Sequence, residues 1–373
     1  MGRYEFVATC LFGLEKFVSD EIEQLGYKKL ETIDGRVTFE ADESAFARFN
    51  IFSRYSERLY LKLGQFKATT FTELFDGTKE LPFECFIGPE DTFPVVGSSI
   101  RSKLASIPDC QSIIKKAIVE KLKLSYNINW FNETGPVYKV EFFINKDIVT
   151  IMIDTSGIAL HKRGYRPASN AAPLRETLAA AMVNISRPRE DVLFWDPFCG
   201  SGTIAIEAAM IMTKTAPGLN RSFAAEKFEF IDQNIFDLAR EEASDLIDRK
   251  TKFQVYASDI DDKCVSLTKS NARRAGVFDN VYSFKKDALD IAKDNRKTTI
   301  VCNPPYGERL LDKQKVEQLY KSMGKTFNEL YPWQIYIISS VPDFESLYGK
   351  RADKVRKFYN GKLKCNYYQY FKK

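Results

Sequence analysis

The apolar positions of this chain change rhythm near residue 160. Before that point Tyr4–Cys10 and Arg36–Glu40 alternate as strands do, while Leu14–Leu25 and Asp42–Asn50 place apolar residues at helical spacing, with Gly26 and Gly35 at the turns. Residues 1–60 are therefore expected to form a small α+β unit. A stretch punctuated by Pro82, Gly88-Pro89, Pro94 and Gly97 follows. After it come a predicted helix over Asp109–Leu122 and strands over Val137–Ile144 and Ile148–Thr155, joined by the hairpin signal Asn145-Lys146-Asp147. Residues 61–156 are taken as a second unit.

From Gly157 to Ala172 the chain is polar and irregular, as a linker is. Strands then alternate with helices: helix Pro173–Ser186, strand Val192–Trp195, helices Thr203–Met212 and Gln233–Asp248, strand Gln254–Ser258, helix Asp262–Ala275, strands Val281–Lys285 and Thr299–Cys302, helix Val316–Leu330 and strand Gln334–Ser339. Alternation of this kind predicts a parallel sheet with helices on both faces, so residues 157–373 are expected to be Rossmann-like α/β. The end departs from the pattern. Asn360-Gly361 is a type I′ turn signal between Lys354–Tyr359 and Lys362–Phe371, which predicts a terminal antiparallel hairpin.

Composition narrows the chemistry. No apolar run approaches the roughly 20 residues that span a bilayer, and the amino terminus lacks a signal-peptide core, so the cytoplasm is the expected compartment. Seven cysteines lie scattered without a CxxC pair, which supports neither a zinc site nor a disulfide framework, and no metal is expected. A single histidine, His161, leaves the histidine-based triads without partners and is itself read as a linker residue. Charge is uneven: residues 1–165 hold 21 Lys/Arg against 23 Asp/Glu, and residues 166–373 hold 34 against 27. Residues 350–373 alone carry nine Lys/Arg and one acid, Asp353, which points to a polyanionic partner.

Two motifs carry chemistry. Asn303-Pro304-Pro305-Tyr306 follows the predicted strand Thr299–Cys302. Prolines donate no backbone hydrogen bond, so the Pro304 carbonyl can face a cleft as an acceptor; Asn303 adds a second acceptor, and Tyr306 a ring to stack on. Two acceptors and a stacking face suit a planar group with an exocyclic NH2. The second motif, Asp196-Pro197-Phe198-Cys199-Gly200-Ser201-Gly202-Thr203, follows a strand and opens a helix. Its glycines allow close backbone approach, and the helix amides can meet a carboxylate. No lysine follows the glycines, which excludes a Walker loop. Asp196 suits a cationic amino group, which favours S-adenosylmethionine over a dinucleotide. Asp259-Ile260-Asp261 and Asp287-Ala288 sit at the next strand ends, where a carboxylate can bind ribose hydroxyls and an acceptor can meet an adenine amine. Asp262 is a candidate helix N-cap. Cysteine nucleophiles are rejected, because Cys302 lies inside a buried strand and Cys199 inside the glycine loop.

With these residues, residues 157–373 resemble a class I S-adenosylmethionine-dependent methyltransferase of the amino-methylating branch. Ser98–Leu104, Pro108–Gln111 and Ile113–Ala117 resemble a THUMP domain preceded by a ferredoxin-like unit, and HKRGYR (161–166) with Ala172-Pro173-Leu174-Arg175-Glu176 resembles the linker and first helix of the same proteins. The whole chain resembles the THUMP-containing RNA guanine-N2 methyltransferases, most closely those acting on bacterial large-subunit (23S) ribosomal RNA. The resemblance implies transfer of a methyl group to guanosine N2, with relatives of the same domain order acting on transfer RNA, and other enzymes with the tetrapeptide acting on adenine N6. RNA is the implied partner, and Arg101, Lys103, Lys115, Lys116, Arg163 and Arg166 are its candidate contacts.

Overall fold

The computed structural model describes residues 2–167, 174–306, 310–361 and 363–371. The linker residues 168–172, the expected helix start at Pro173 and the expected strand start at Lys362 lie outside the described residues.

The amino-terminal half runs β1 (Tyr4–Cys10), α1 (Glu15–Gln24), β2 (Lys28–Ile33), β3 (Arg36–Ala41), α2 (Ala45–Phe52), β4 (Ser56–Lys67), α3 (Phe71–Lys79), β5 (Val95–Ile100), α4 (Ile107–Tyr126), β6 (Val140–Asn145) and β7 (Ile148–Asp154). Its seven strands form one sheet, in the order β2-β3-β1-β4-β7-β6-β5. β4 is twelve residues long and pairs with β1 on one side and β7 on the other, so the sheet runs unbroken through residues 60 and 61. The β6–β7 connection is a two-residue turn with Lys146 and Asp147 both at positive φ, the geometry that fits the right-handed twist of a hairpin.

The second half runs α5 (Glu176–Ser186), β8 (Leu193–Asp196), α6 (Thr203–Met212), α7 (Asn234–Asp245), β9 (Val255–Asp259), α8 (Asp262–Arg274), β10 (Val281–Lys285), β11 (Thr298–Cys302), α9 (Leu310–Glu329), β12 (Gln334–Ser339), α10 (Phe344–Tyr348), β13 (Lys354–Asn360) and β14 (Leu363–Tyr370). The strand order is β10-β9-β8-β11-β12-β14-β13; the first five are parallel, β14 runs against them, and β13, antiparallel to β14, runs with them. Strand order reverses between β8 and β11, and ligands of open α/β sheets bind at the carboxyl ends beside such a switch point. The terminal hairpin closes one residue later than the sequence signal suggests: Asn360 pairs with Leu363, and Gly361 has a positive φ.

The halves share apolar packing. Tyr138 stacks on Phe228 with ring centroids 4.4 Å apart, and Phe230 packs edge-on against Phe46 and Phe86. Arg48 forms two hydrogen bonds of 2.7 Å with the Glu242 carboxylate across the junction. Among the described residues no helix is long and apolar enough to cross a membrane, and no group of His, Cys, Asp and Glu could hold a metal ion.

Candidate active site

β8 delivers Asp196, 1% exposed, to its carboxyl end. The chain then turns through the glycine loop into α6. Gly202 requires its lack of a side chain twice over: its φ is +84°, and a Cβ there would lie 2.8 Å from Thr268 Cγ2. The loop is held from several sides. Gly200 N donates to Asp259 Oδ2 at 3.0 Å, Thr268 Oγ1 to the Gly200 carbonyl at 3.1 Å, and Asn271 Nδ2 to the Ser201 carbonyl at 2.9 Å. Thr268 and Asn271 are buried polar residues three apart on α8. Sequence reading missed them, although two polar side chains on the inward face of a helix are a signal, since buried polar groups need partners.

Residues 196–201 and 203, Asp259, Ile260, Asp287, Ala288 and the tetrapeptide 303–306 line one cleft of about 800 Å³, together with Leu319, Asn360 and Leu363. Two of the selected residues do not line it. Gly202 lies behind the loop, and Asp261 caps α8 by accepting from Lys263 N at 2.9 Å. The capping role expected of Asp262 thus belongs to its neighbour, and Asp262 pairs instead with Lys285 at 2.8 Å.

The electrostatics of the cleft centre on Asp196. Its Oδ1 accepts from Phe198 N at 3.2 Å, and no cation pairs with it among the described residues. Burial pushes its carboxyl up to about 8. Burial also pushes the Cys199 and Cys302 thiols well above their ordinary range, with Asp196 adding to both, so neither is a thiolate nucleophile.

At the end of β11, Asn303 Oδ1 accepts a hydrogen bond from the Tyr306 hydroxyl, whose own ionisation burial suppresses. The Pro304 carbonyl accepts none from the described residues. The Pro305 carbonyl is held by Tyr320 Oη at 2.9 Å, and Tyr320 also meets Ser339 Oγ at 3.0 Å. Tyr320, halfway along α9, is another brace that sequence reading missed.

Two candidate RNA contacts are corrected by the structure. Arg163, 4% exposed, donates to the Leu160 carbonyl at 2.8 Å and lies 3.5 Å from Glu207, so it cannot reach a phosphate outside. The Arg166 side chain is only 8% exposed. It pairs with Glu176 at 2.9 Å and donates to Thr203 Oγ1 at 2.6 Å, bracing the first turn of α6 from behind. His161 is tied to Glu57 at 2.7 Å and does not line the cleft. In the amino-terminal half, Lys115 is taken by Glu133 at 2.6 Å and lies 3.5 Å over the Phe93 ring. The side chains of Arg101, Lys103 and Lys116, all exposed residues, pair with no acid among the described residues.

This is the architecture of a methyltransferase, and comparison with known proteins defines it further. The chain belongs to the family of RMKL-like methyltransferase domains, whose model matches residues 163–369. An RlmL ferredoxin-like domain matches residues 5–60 and a THUMP domain residues 68–154. "Putative RNA methyltransferase YpsC" of Bacillus subtilis (strain 168) is 45% identical, covering all of this chain and 97% of that protein. Two crystal structures are similar over the full length of this chain. One, described as a "predicted N6-adenine-specific DNA methylase" from Listeria monocytogenes, shares 42% identity over 97% of its own length with a TM-score of 0.95. The other, "SMU.472, a putative methyltransferase complexed with SAH", shares 38% over 99% with a TM-score of 0.93.

The residues of the cleft fit S-adenosylmethionine, the donor such a family implies. An unpaired buried carboxylate at Asp196 lacks the cation that the donor's amino group would supply, and Asp259 and Asp287 stand at the next two strand ends.

Proposed function

We propose that this protein transfers a methyl group from S-adenosylmethionine to the exocyclic N2 amine of a guanosine in 23S ribosomal RNA. The observation that carries the reading is the pair of acceptors at the end of β11, Asn303 Oδ1 and the free Pro304 carbonyl, opening into the same cleft as Asp196. The THUMP match supports RNA as the substrate, and the ferredoxin-like match and the whole-chain resemblance favour ribosomal RNA. The SAH complex of the 38% identical relative supports the donor.

The donor supplies a methyl group already activated on a sulfonium, so the chain's task is alignment. The guanine amine is a weak nucleophile because its lone pair is delocalised into the ring. Hydrogen bonds from its two N–H groups to Asn303 Oδ1 and the Pro304 carbonyl draw the nitrogen towards tetrahedral geometry and localise that pair. Asn303 is released for this only when the Tyr306 hydroxyl leaves it, and the same displacement frees the ring to stack on the base, a contact worth about 1–3 kcal/mol. Tyr320 holds the Pro305 carbonyl meanwhile, which keeps the tetrapeptide backbone in place. Asp196, ionised, would hold the donor's amino group, while Asp259 would take the ribose hydroxyls and Asp287 the adenine amine. The proton departs to water once the nitrogen is alkylated. A base taken from a helix must first be flipped out, at a few kcal/mol.

A second reading, methylation of adenine N6, is favoured by the Listeria relative's description and by acceptors that suit either amine. Nucleoside mass spectrometry of ribosomal and transfer RNA from cells lacking the gene separates these. Loss of one N2-methylguanosine from 23S RNA is expected. Intact ribosomal marks with a missing transfer RNA mark, or a missing N6-methyladenosine, would overturn the assignment.

A further inference from the structure

The basic carboxyl-terminal run is not used up by the cleft. β13 carries it along the sheet edge, from Lys354 at the amino end of the parallel strands to Asn360 at the cleft, a span of about 20 Å. At the Lys354 end a separate cavity of about 560 Å³ opens between the hairpin, the carboxyl end of α5 and Phe17 of α1. Arg187, Arg189, Lys354 and Arg356 line it, and no Asp or Glu does. We propose that this cavity is a phosphate socket, and that it holds a backbone phosphate of the RNA on the far side of the sheet from the reacting base. The assignment to RNA rests on the reading of the substrate given above.

Three features support the socket. The side chains of Arg187, Lys354 and Arg356 make no ion pair among the described residues, and Arg189 has only a contact of 3.8 Å with Asp191, both side chains being about three-fifths exposed. Two buried donors at the same place, Arg356 Nε and Gln369 Nε2, have no acceptor, and Gln369 is 4% exposed. A buried donor left unpaired forfeits its hydration for nothing, so an acceptor oxygen belongs there. The third feature disposes of the plainest competitor, that the cations serve the carboxyl end of α5. That end carries only about half an elementary charge. Three carbonyls near that end are already met by others: Met182 by Tyr367 Oη at 2.9 Å, Val183 by Ser186 Oγ at 2.7 Å, and Asn184 by Arg187 N at 3.1 Å. The three unit charges of Arg187, Lys354 and Arg356 are left over, and the planar guanidinium fork matches a phosphate in shape.

The test is the double variant Arg187→Gln, Lys354→Gln, at two exposed side chains outside the catalytic cleft. Fluorescence anisotropy of a fluorescein-labelled RNA hairpin of arbitrary sequence is followed across a salt series. Cofactor affinity and the melting temperature with sodium pyrophosphate are measured in parallel. RNA affinity should fall about tenfold and the salt slope by about one, with cofactor affinity unchanged. If RNA binding stays the same but a pyrophosphate-induced rise in melting temperature is lost, the socket takes a free phosphate and the RNA assignment is overturned. If no readout moves, the socket itself is refuted. A parent chain that binds no RNA yet is stabilised by pyrophosphate, with the variant not stabilised, refutes the substrate reading and supports the socket alone.

Discussion

Replacing Asp196 with Asn should stabilise the protein without its cofactor and abolish stabilisation by it. The parent carboxyl titrates at 3.8 when unfolded and at about 8 when folded, where burial raises it, the Phe198 amide opposes the rise and Asp259 adds to it. Below pH 3.8 both states hold the proton, and the group contributes nothing. Between 3.8 and about 8 the unfolded chain releases the proton and the folded chain keeps it, so stability falls as pH rises. At pH 7 the difference is about three units, which at about 1.4 kcal/mol each withholds about 4 kcal/mol. Asparagine escapes that loss and keeps the acceptor for Phe198 N, but its buried NH2 costs about 1–3 kcal/mol. The variant should therefore lead by about 1–3 kcal/mol at pH 7 and above, and the two should cross near about pH 5. Urea unfolding at pH 5, 7 and 8 measures this. With S-adenosylhomocysteine at about 100 times its Kd the parent should gain about 2.7 kcal/mol and the variant far less. Parallel pH profiles for the two proteins, or a variant less stable than the parent at pH 8, would refute the assignment of a buried, cation-seeking carboxylate.

Two further substitutions probe the cleft. Asn303→Ala should keep cofactor affinity and lower turnover about 100-fold, read by calorimetry and by methyl transfer to RNA; lost cofactor binding with normal turnover at saturating cofactor would sink the role given to Asn303. Gly202→Ala places a methyl group 2.8 Å from Thr268 at a φ of +84°, so cofactor affinity should fall sharply and thermal unfolding should show about 1–3 kcal/mol of destabilisation; unchanged affinity would mean that the loop yields freely.

Much of this arrangement was legible from spacing. The strand–loop–helix of 193–212 and the tetrapeptide after β11 could be read because their chemistry is contiguous, and the structure brings them to one cleft. What escaped was of two kinds. β2 was missed because every residue of Lys28–Ile33 is exposed, so an edge strand paired only with β3 shows no alternation. β4 was missed because the expected division at residue 60 cut through it, and β5 because Gly97 and two serines replace the usual apolar side chains where the backbone of Phe142 approaches closely. The braces Thr268, Asn271, Tyr320 and Arg166 act across 15 to 70 residues of sequence, a separation that no local pattern reports. Arg163 failed in the opposite sense. A basic linker reads as a surface, but its guanidinium is spent inside on Glu207 and the carbonyls that the junction would otherwise strand.

The Tyr306 hydroxyl on Asn303 bears on how selective the site can be. Without substrate the hydroxyl satisfies an acceptor that would otherwise stand open in a partly dry cleft. An entering amine replaces that hydrogen bond with one of similar strength, so the exchange at Asn303 is close to neutral. The net gain comes from the second N–H, at the Pro304 carbonyl, and from stacking on the displaced ring. A hydroxyl or a ring nitrogen lacks that second N–H and gains less, which selects exocyclic amines as a class. Guanine N2 and adenine N6 both offer two N–H groups, so residues 303–306 cannot rank them. The choice of base must be made by contacts to the rest of the ring edge, from other residues that line the cleft, Leu319, Asn360 and Leu363 among them.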